Sequence, residues 1–323
     1  MDALVTLLDL ALLASWIRLA TPILLAALGG LVSERVGVFN VGLEGLMLVG
    51  SFFAVAGLYW TGNPLVGVAL AVLASTLVAL LLAVVVDLGG DAIVAGLAIN
   101  IFALGATTYL VRPVFGVQGS FYDPSLRGLP DITIPFLADV PVVGQLVSGF
   151  SFLVYLAFAL VLVGHVLLYR HAWGIRLRAV GEAPVAAASV GVPVRRTRYL
   201  ALALSGALCG VAGAQLSISL VTQFVQGMTA GRGFIALVAV MFGRATPFGV
   251  LAASLLFGLA YALTLRMQGI GIPPQFVAML PYLATLGVLV AVAVRRRRRE
   301  RRAVGAIEAD RLEQADEVAP AVR

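Results

Sequence analysis

Residues 65–86 read LVGVALAVLASTLVALLLAVVV and contain no charged side chain. A helix needs about 20 mainly apolar residues to cross the roughly 30 Å hydrocarbon layer of a membrane. Similar runs fill most of the chain, which is 61% hydrophobic and 12% charged, with a mean hydropathy of +1.04. A soluble domain cannot bury that much apolar surface. Backbone groups in lipid must be bonded within helices, and the alternation of a β-barrel is absent. The sequence therefore predicts an all-α, polytopic transmembrane helical bundle.

Nine apolar segments can be delimited, and the seventh is too short to cross a membrane alone. They cover residues 16–32, 45–61, 65–86, 92–111, 148–169, 199–219, 233–243, 248–266 and 276–294. Residues 3–15 form a further apolar stretch, either an interfacial helix or a short first crossing. We therefore predict nine or ten segments in a membrane domain of residues 1–294. Residues 295–323 are first basic and then of mixed charge, which predicts a cytoplasmic tail near anionic lipid.

Arginine positions predict the orientation, because positively charged residues stay on the cytoplasmic side. Residues 170–198 carry six arginines and one acid, and residues 295–299 are all arginine. Both should face the cytoplasm, as should residues 33–39 and Arg244. Residues 112–147 should then lie outside. The chain is thus predicted to be a multi-pass protein of the cytoplasmic membrane, with the side of its N-terminus left open.

The chain lacks the residues that several kinds of enzyme and metal site require. All 22 basic residues are arginine, so the phosphate-binding lysine of G-x-x-x-x-G-K-[ST] cannot be present. Cys209 is the one cysteine, which excludes an intrachain disulfide and a cysteine-based metal site. The motifs H-E-x-x-H and G-x-S-x-G do not occur. We expect no enzyme activity, no cofactor, no metal and no nucleic-acid partner, and transport is the better default.

Residues 33–50, SERVGVFNVGLEGLMLVG, place Asn40 and Glu44 four residues apart, which predicts that they share one helical face. A charge at the bilayer centre costs about 2.5 to 3.5 kcal/mol on insertion scales, so Glu44 should face a partner, a cavity or the interface. Nearby glycines permit a broken helix or a close helix contact; they are Gly37, Gly42 and Gly45. The pattern fits either a hydrogen bond between helices or a place in a translocation path.

A second glycine-rich stretch, residues 227–234, leads into the short seventh segment. Residues 20–30 and 203–213 are both rich in small side chains. The units that contain them point in opposite directions, the pattern of an inverted repeat with a path between its halves. The candidate path residues are Asn40, Glu44, Asn100 and Gln215, with Gln223 and Gln226 as further polar side chains. For each of them, a packing or loop position is the alternative.

The predicted cytoplasmic loop contains a short surface helix. Glu182 with Pro184 suits its start, and Gly191 with Pro193 suits its stop. A helix with a small-residue face, flanked by arginines, suits docking into a groove of another protein, and an ordinary connecting helix is the alternative. The residues that define it are Gly181, Glu182, Pro184, Ala187 and Gly191.

Three motifs together resemble the permease subunits of ABC importers for simple sugars, nucleosides and branched-chain amino acids. They are GVFNVGLEGLMLVG at residues 37–50, RAVGEAPVAAASVGV at residues 178–192 and SGALCGVAGA at residues 205–214. The form of the first motif looks closest to the nucleoside-type branch. The resemblance implies a non-enzymatic subunit of an ATP-driven importer that moves a nucleoside or simple sugar inward.

The same resemblance implies the partners of the chain. They are a cytoplasmic ATPase that uses the ATP, a second permease that is identical or related, and an extracytoplasmic solute-binding protein. The helix from Gly181 to Gly191 would then sit on the ATPase, and Asn40 and Glu44 would lie near the path. Two alternatives remain open. A secondary transporter would use mid-membrane acids, for which the candidates are Glu44, Asp87 and Asp91, and a membrane enzyme would need a catalytic cluster.

Overall fold

A computed structural model of the chain describes residues 10–132, 148–267 and 287. The first five helices are α1 (Leu10–Glu34), α2 (Leu43–Thr61), α3 (Pro64–Asp87), α4 (Ala92–Phe115) and α5 (Phe152–Arg170). They are followed by α6 (Ala172–Glu182), α7 (Pro184–Ser189), α8 (Val194–Ala214), α9 (Arg232–Phe242) and α10 (Pro247–Met267). Within the described residues, seven helices are long and apolar enough to cross a membrane, namely α1 to α5, α8 and α10. The predicted polytopic helical bundle is confirmed.

Extended structure in the described residues is confined to two short antiparallel pairs. Strand β1 (Ser120–Tyr122) pairs with β4 (Gln223–Val225). Strand β2 (Asp131–Ile132) pairs with β3 (Phe150–Ser151). Strands β1 and β2 lie within residues 112–147, so both pairs belong to the end of the bundle that the arginine pattern assigns to the outside.

Local sequence explains where several helices begin and end. The Asn63 side chain accepts a hydrogen bond from the Leu65 N–H at 2.9 Å, and Pro64 is the first residue of α3. Asp91 accepts bonds from the N–H groups of Ile93 and Val94 and so caps α4. Gly116 follows α4 with a φ of +73°, the left-handed conformation that ends many helices.

Helix α8 packs in the centre of the bundle against α1, α2 and α3. Three glycines on α8 let the other backbones approach. A Cβ at Gly206 would collide with α3 at Ala79 and Ser75, one at Gly210 with the Ala71 carbonyl, and one at Gly213 with the Met47 carbonyl of α2. In a membrane, helices associate through such small-residue contacts because lipid provides no hydrophobic drive. The small-residue stretch 203–213 is therefore the packing surface of the bundle.

The predicted segments agree with the helices to within a few residues where the structure describes them. Segment 233–243 is the short helix α9, as its length predicted. Residues 10–15 continue directly into α1, so they are not a separate crossing. Segment 276–294, the boundary at residues 294–295 and residues 3–9 lie outside the described residues.

Side-chain contacts connect loops that were predicted to lie on the same side of the membrane. At one end, Arg35 donates hydrogen bonds to the Ala245 carbonyl at 2.7 Å and to the Tyr169 hydroxyl at 3.2 Å. At the other end, Arg18 pairs with Asp131 at 3.5 Å and donates a hydrogen bond to the Gly149 carbonyl at 2.6 Å. The first group contains the predicted cytoplasmic loops and the second the predicted external loop. The contacts are therefore consistent with the orientation inferred from the arginines.

Candidate functional site

The chain between α1 and α2 is not helical, and Asn40 lies in this break. Its Oδ1 accepts a hydrogen bond from the Gly42 N–H at 3.0 Å, while its Nδ2 donates to Ser205 Oγ of α8 at 3.2 Å. The residue is only 1% exposed. Buried amides need such partners, because an unpaired polar group in an apolar environment is costly. Asn40 thus fixes the chain where α2 begins.

The start of α2 is also held by Asn100 of α4. Asn100 Oδ1 accepts from the Gly45 N–H at 2.7 Å, and its Nδ2 donates to the Val41 carbonyl at 3.0 Å. A Cβ at Gly45 would lie 2.9 Å from the Asn100 Cα, so glycine lets α4 approach this closely. One side chain therefore satisfies a free donor and a free acceptor at the start of a transmembrane helix.

Glu44 caps the start of the short helix α9. Its carboxylate accepts hydrogen bonds from the Gly231 N–H at 2.8 Å and from the Gly233 N–H at 2.6 Å. Gly231 has a φ of +81°, and a Cβ at Gly233 would collide with the Glu44 backbone. The bonds are charge-assisted, and the positive end of the α9 dipole adds to them. This is how an acid is accommodated within the bundle.

The predicted shared helical face of Asn40 and Glu44 is wrong. Helix α2 begins only at Leu43, so Asn40 lies outside it. Asn40 contacts α8 and Glu44 contacts α9, on different neighbours. The glycines in this stretch interrupt the helix, and the four-residue spacing has its usual meaning only in a continuous helix. The predicted broken helix and interhelical hydrogen bond are both present.

The starts of two helices meet at Glu44. Helix α9 has 11 residues, about 16 Å, and so covers roughly half of the hydrocarbon layer. Helix α2 also starts at this contact, and by the predicted orientation it and α9 run in opposite directions. Helices that start at mid-depth are tolerated only where protein or a cavity surrounds the free backbone groups. The inverted repeat and a path beside Asn40, Glu44 and Asn100 stay predictions.

Gln215 is not part of this network. It begins the π-helical turn Gln215–Ser219 that extends α8, and its Oε1 accepts a hydrogen bond from Ser151 Oγ at 3.0 Å. Ser151 belongs to β3, at the predicted outer end. The contacts of Gln215 therefore join α8 to the external strands, which matches the packing alternative for this residue.

The predicted short surface helix is present as α7, whereas Gly181 and Glu182 belong to the end of the preceding helix α6. Glu182 is the last residue of α6, Ala183 is extended with φ −147° and ψ 77°, and Pro184 is the first residue of α7. Glu182 makes no side-chain cap for α7. Proline lacks an N–H and disfavours the helical region for the residue before it, which explains the break. Ala187 lies on the buried side of α7. Gly191, with a φ of +83°, ends the turn that follows α7.

Gly181 joins this loop to the break before α2. A Cβ at Gly181 would collide with the Arg35 carbonyl and the Gly37 nitrogen, and a Cβ at Gly37 would lie 3.2 Å from the Gly181 carbonyl oxygen. Gly37 has a φ of +78°, so glycine is favoured there on two grounds. The sequence marked both glycines separately but did not predict their contact.

Two large apolar side chains of this loop are exposed on the protein surface. Val185 is 84% exposed and Val190 is 79% exposed. By the predicted orientation they lie outside the hydrocarbon layer, where lipid tails cannot cover them. Apolar side chains left exposed in water are candidates for an interaction surface. In the described residues, no group of three His, Cys, Asp or Glu side chains is placed to hold a metal ion.

A model of the family described as "Branched-chain amino acid transport system / permease component" matches residues 12–290. The guanosine ABC transporter permease protein NupQ of Bacillus subtilis (strain 168) is 35% identical over 279 residues, covering 83% of this chain and 87% of the relative. The nucleoside ABC transporter permease protein NupC of Lactococcus lactis subsp. cremoris (strain MG1363) is 35% identical over 290 residues, covering 86% and 90%.

A more distant relative is the glucose ABC transporter permease protein TsgB13 of Haloferax volcanii, 26% identical over 300 residues that cover 86% of this chain and 76% of the relative. No solved structure matches the chain. The family model spans the helices described above, including the α2 break, the α6–α7 loop and α9. The chain therefore belongs to the family of branched-chain amino acid transport system permease components, and it is a multi-pass permease subunit of the cell membrane.

Proposed function

We propose that this chain is one permease of an ATP-driven importer that moves nucleosides, or alternatively simple sugars, into the cell. The contact of Gly181 with Arg35 and Gly37 carries the proposal, because it connects the predicted cytoplasmic loop α6–α7 to the break before α2. The names of its relatives support the solute class, since two act on guanosine or nucleosides and one on glucose.

The proposed function includes three partners. A cytoplasmic ATPase binds the exposed apolar residues of the α6–α7 loop, and a second permease completes the path. A solute-binding protein delivers the solute from outside. The chain itself is not an enzyme and binds no ATP, which its lack of lysine supports.

Motion of the loop would reach the membrane interior through a short series of contacts. Gly181 touches the chain at residues 35–37 by backbone atoms, which cannot yield as a flexible side chain would. That segment leads through Asn40 to α2, and Glu44 in the first turn of α2 holds α9. A shift of α6 would therefore move the starts of α2 and α9 together.

A secondary transporter is the less favoured alternative. Its three candidate acids all have other roles in the structure. Asp87 pairs with Arg195 at 2.8 Å, and Asp91 caps α4. Glu44 is bonded to the backbone of α9. A coupling acid must be able to exchange its ion, and acids held in this way are poorly suited to that task.

Reconstitution tests the proposed function. The chain is placed in proteoliposomes with its partner permease and ATPase, and uptake of radiolabelled guanosine and glucose is measured. We expect uptake only when ATP and the ATPase are both present, because this chain has no motor motif. Uptake by the chain alone under an ion gradient would contradict the importer and favour a secondary transporter.

Replacing Val185 with glutamate tests the ATPase contact. Docking would bury the new charge without a partner, so we expect the ATPase to co-purify about tenfold less or worse. Membrane insertion should not change, because Val185 lies on an exposed surface. Quantitative co-purification from detergent measures both.

Val185→Leu is the matched control, since it keeps an apolar side chain at the same position. It should retain the ATPase. Equal recovery of ATPase with Val185→Glu would show that α7 does not contribute to the interface.

A further inference from the structure

A polar cleft lies at the predicted outer end of α4. It is bounded by the C-terminal half of α4 and by the loops next to β1 and β4, and its volume is about 720 Å³. This volume is in the range of small-molecule sites. The polar and aromatic side chains that line it are Thr108, Tyr109, Arg112, Gln118 and Gln226.

The cleft is built from two elements far apart in sequence. Thr108 and Arg112 lie one helical turn apart on α4. The β1–β4 pair continues beyond Ser120 and Val225 through a hydrogen bond from the Gln226 N–H to the Gly119 carbonyl at 3.1 Å. This bond brings Gln118 and Gln226 to the same edge of the cleft.

Lipid is a poor occupant for this surface. Tyr109 is 76% exposed, and Arg112, Gln118 and Gln226 are exposed as well. Within residues 10–132 and 148–267, the side chains of these last three make no hydrogen bond. Groups with so many free donors and acceptors face water or a polar ligand rather than hydrocarbon.

We propose that this cleft is where the permease first binds its solute, and that the solute is a nucleoside. The assignment rests on the importer function proposed above. A flat base stacks on the exposed Tyr109 ring. Each glutamine amide offers a donor beside an acceptor, which matches the edge of a nucleobase. Thr108 and Arg112 are placed for hydroxyl and carbonyl oxygens of the solute.

The chain continues from the cleft to the Glu44 network. Gln226 is followed by Gly227, with a φ of +64°, and the chain then runs to Gly231, whose N–H is bound by Glu44. The cleft and the Glu44 network are therefore the two ends of one stretch of chain, residues 226–233.

The test uses the complete importer in proteoliposomes with radiolabelled guanosine and glucose. We expect Tyr109→Ala and Gln226→Ala each to raise the KM for guanosine about tenfold, with little change in maximal rate. Tyr109→Phe keeps the ring and should stay within about twofold of the wild-type KM. Tyr122→Ala removes an exposed tyrosine of β1 that does not line the cleft and should change nothing.

Each other outcome overturns the assignment in a recognisable way. Wild-type ATP-driven uptake with an unchanged KM in both alanine variants would reject the cleft and leave the importer standing. Loss of the second permease on co-purification of Tyr109→Ala would make the cleft a protein contact. A raised KM for glucose with none for guanosine would reject the nucleoside. No ATP-driven uptake by the wild type would reject the importer itself, and the cleft with it.

Discussion

Gly181→Ala is expected to reduce solute uptake by about tenfold or more while ATP hydrolysis by the bound ATPase continues. The new Cβ would collide with the Arg35 carbonyl and the Gly37 nitrogen. Both are backbone atoms, so α6 must move away from the segment before α2. Overpacking of this kind typically costs about 1–3 kcal/mol, and here it would act on the contact that carries motion from the loop. Uptake and ATPase rates measured on the same proteoliposomes give the ratio of solute moved to ATP used.

Gly164→Ala is the matched control for this variant. Gly164 lies in α5, and a Cβ there would come no closer than 4.0 Å to Pro247. The same methyl group should therefore be tolerated, with normal uptake. If Gly181→Ala lowers uptake and ATP hydrolysis in equal proportion, the glycine supports folding or assembly rather than coupling.

The sequence predicted local features of this fold well. Apolar runs gave the helices to within a few residues, because the length of a crossing is fixed by the membrane. The short length of residues 233–243 correctly predicted a segment that cannot span alone. The cost of an acid in lipid correctly predicted that Glu44 needs a partner. Each of these inferences rests on a property of one continuous stretch.

Contacts between distant stretches could not be predicted in the same way. The partners of Glu44 are Gly231 and Gly233, and nothing in their own sequence identifies them as its hydrogen-bond donors. The contact between Gly37 and Gly181 involves only backbone, so no side-chain pattern reveals it. The shared face of Asn40 and Glu44 was wrong because it assumed a helix that starts three residues later than Asn40, at Leu43.

Removal of the Glu44 carboxylate should have the largest effect on stability. In Glu44→Ala, the N–H groups of Gly231 and Gly233 lose their acceptor at a partly buried helix start. A buried donor without a partner costs about 1–3 kcal/mol. Gly233 is buried and Gly231 is half-buried, so we expect Glu44→Ala to destabilise the protein by about 1–3 kcal/mol. Glu44→Gln keeps one acceptor oxygen and should lie between alanine and wild type. Thermal unfolding in detergent and uptake in proteoliposomes measure the two consequences.

Glu34→Ala provides the control, because Glu34 is an exposed acid at the end of α1 and makes no side-chain hydrogen bond in the part of the chain described here. Its unfolding midpoint should match the wild type. The order of the unfolding midpoints of the Glu44 variants distinguishes a hydrogen bond between helices from a place in the translocation path, the two roles that the sequence left open. A graded fall in midpoint from wild type through glutamine to alanine supports the cap on α9. A wild-type midpoint in Glu44→Gln with uptake abolished would instead require the charge itself, and would place Glu44 in the translocation path.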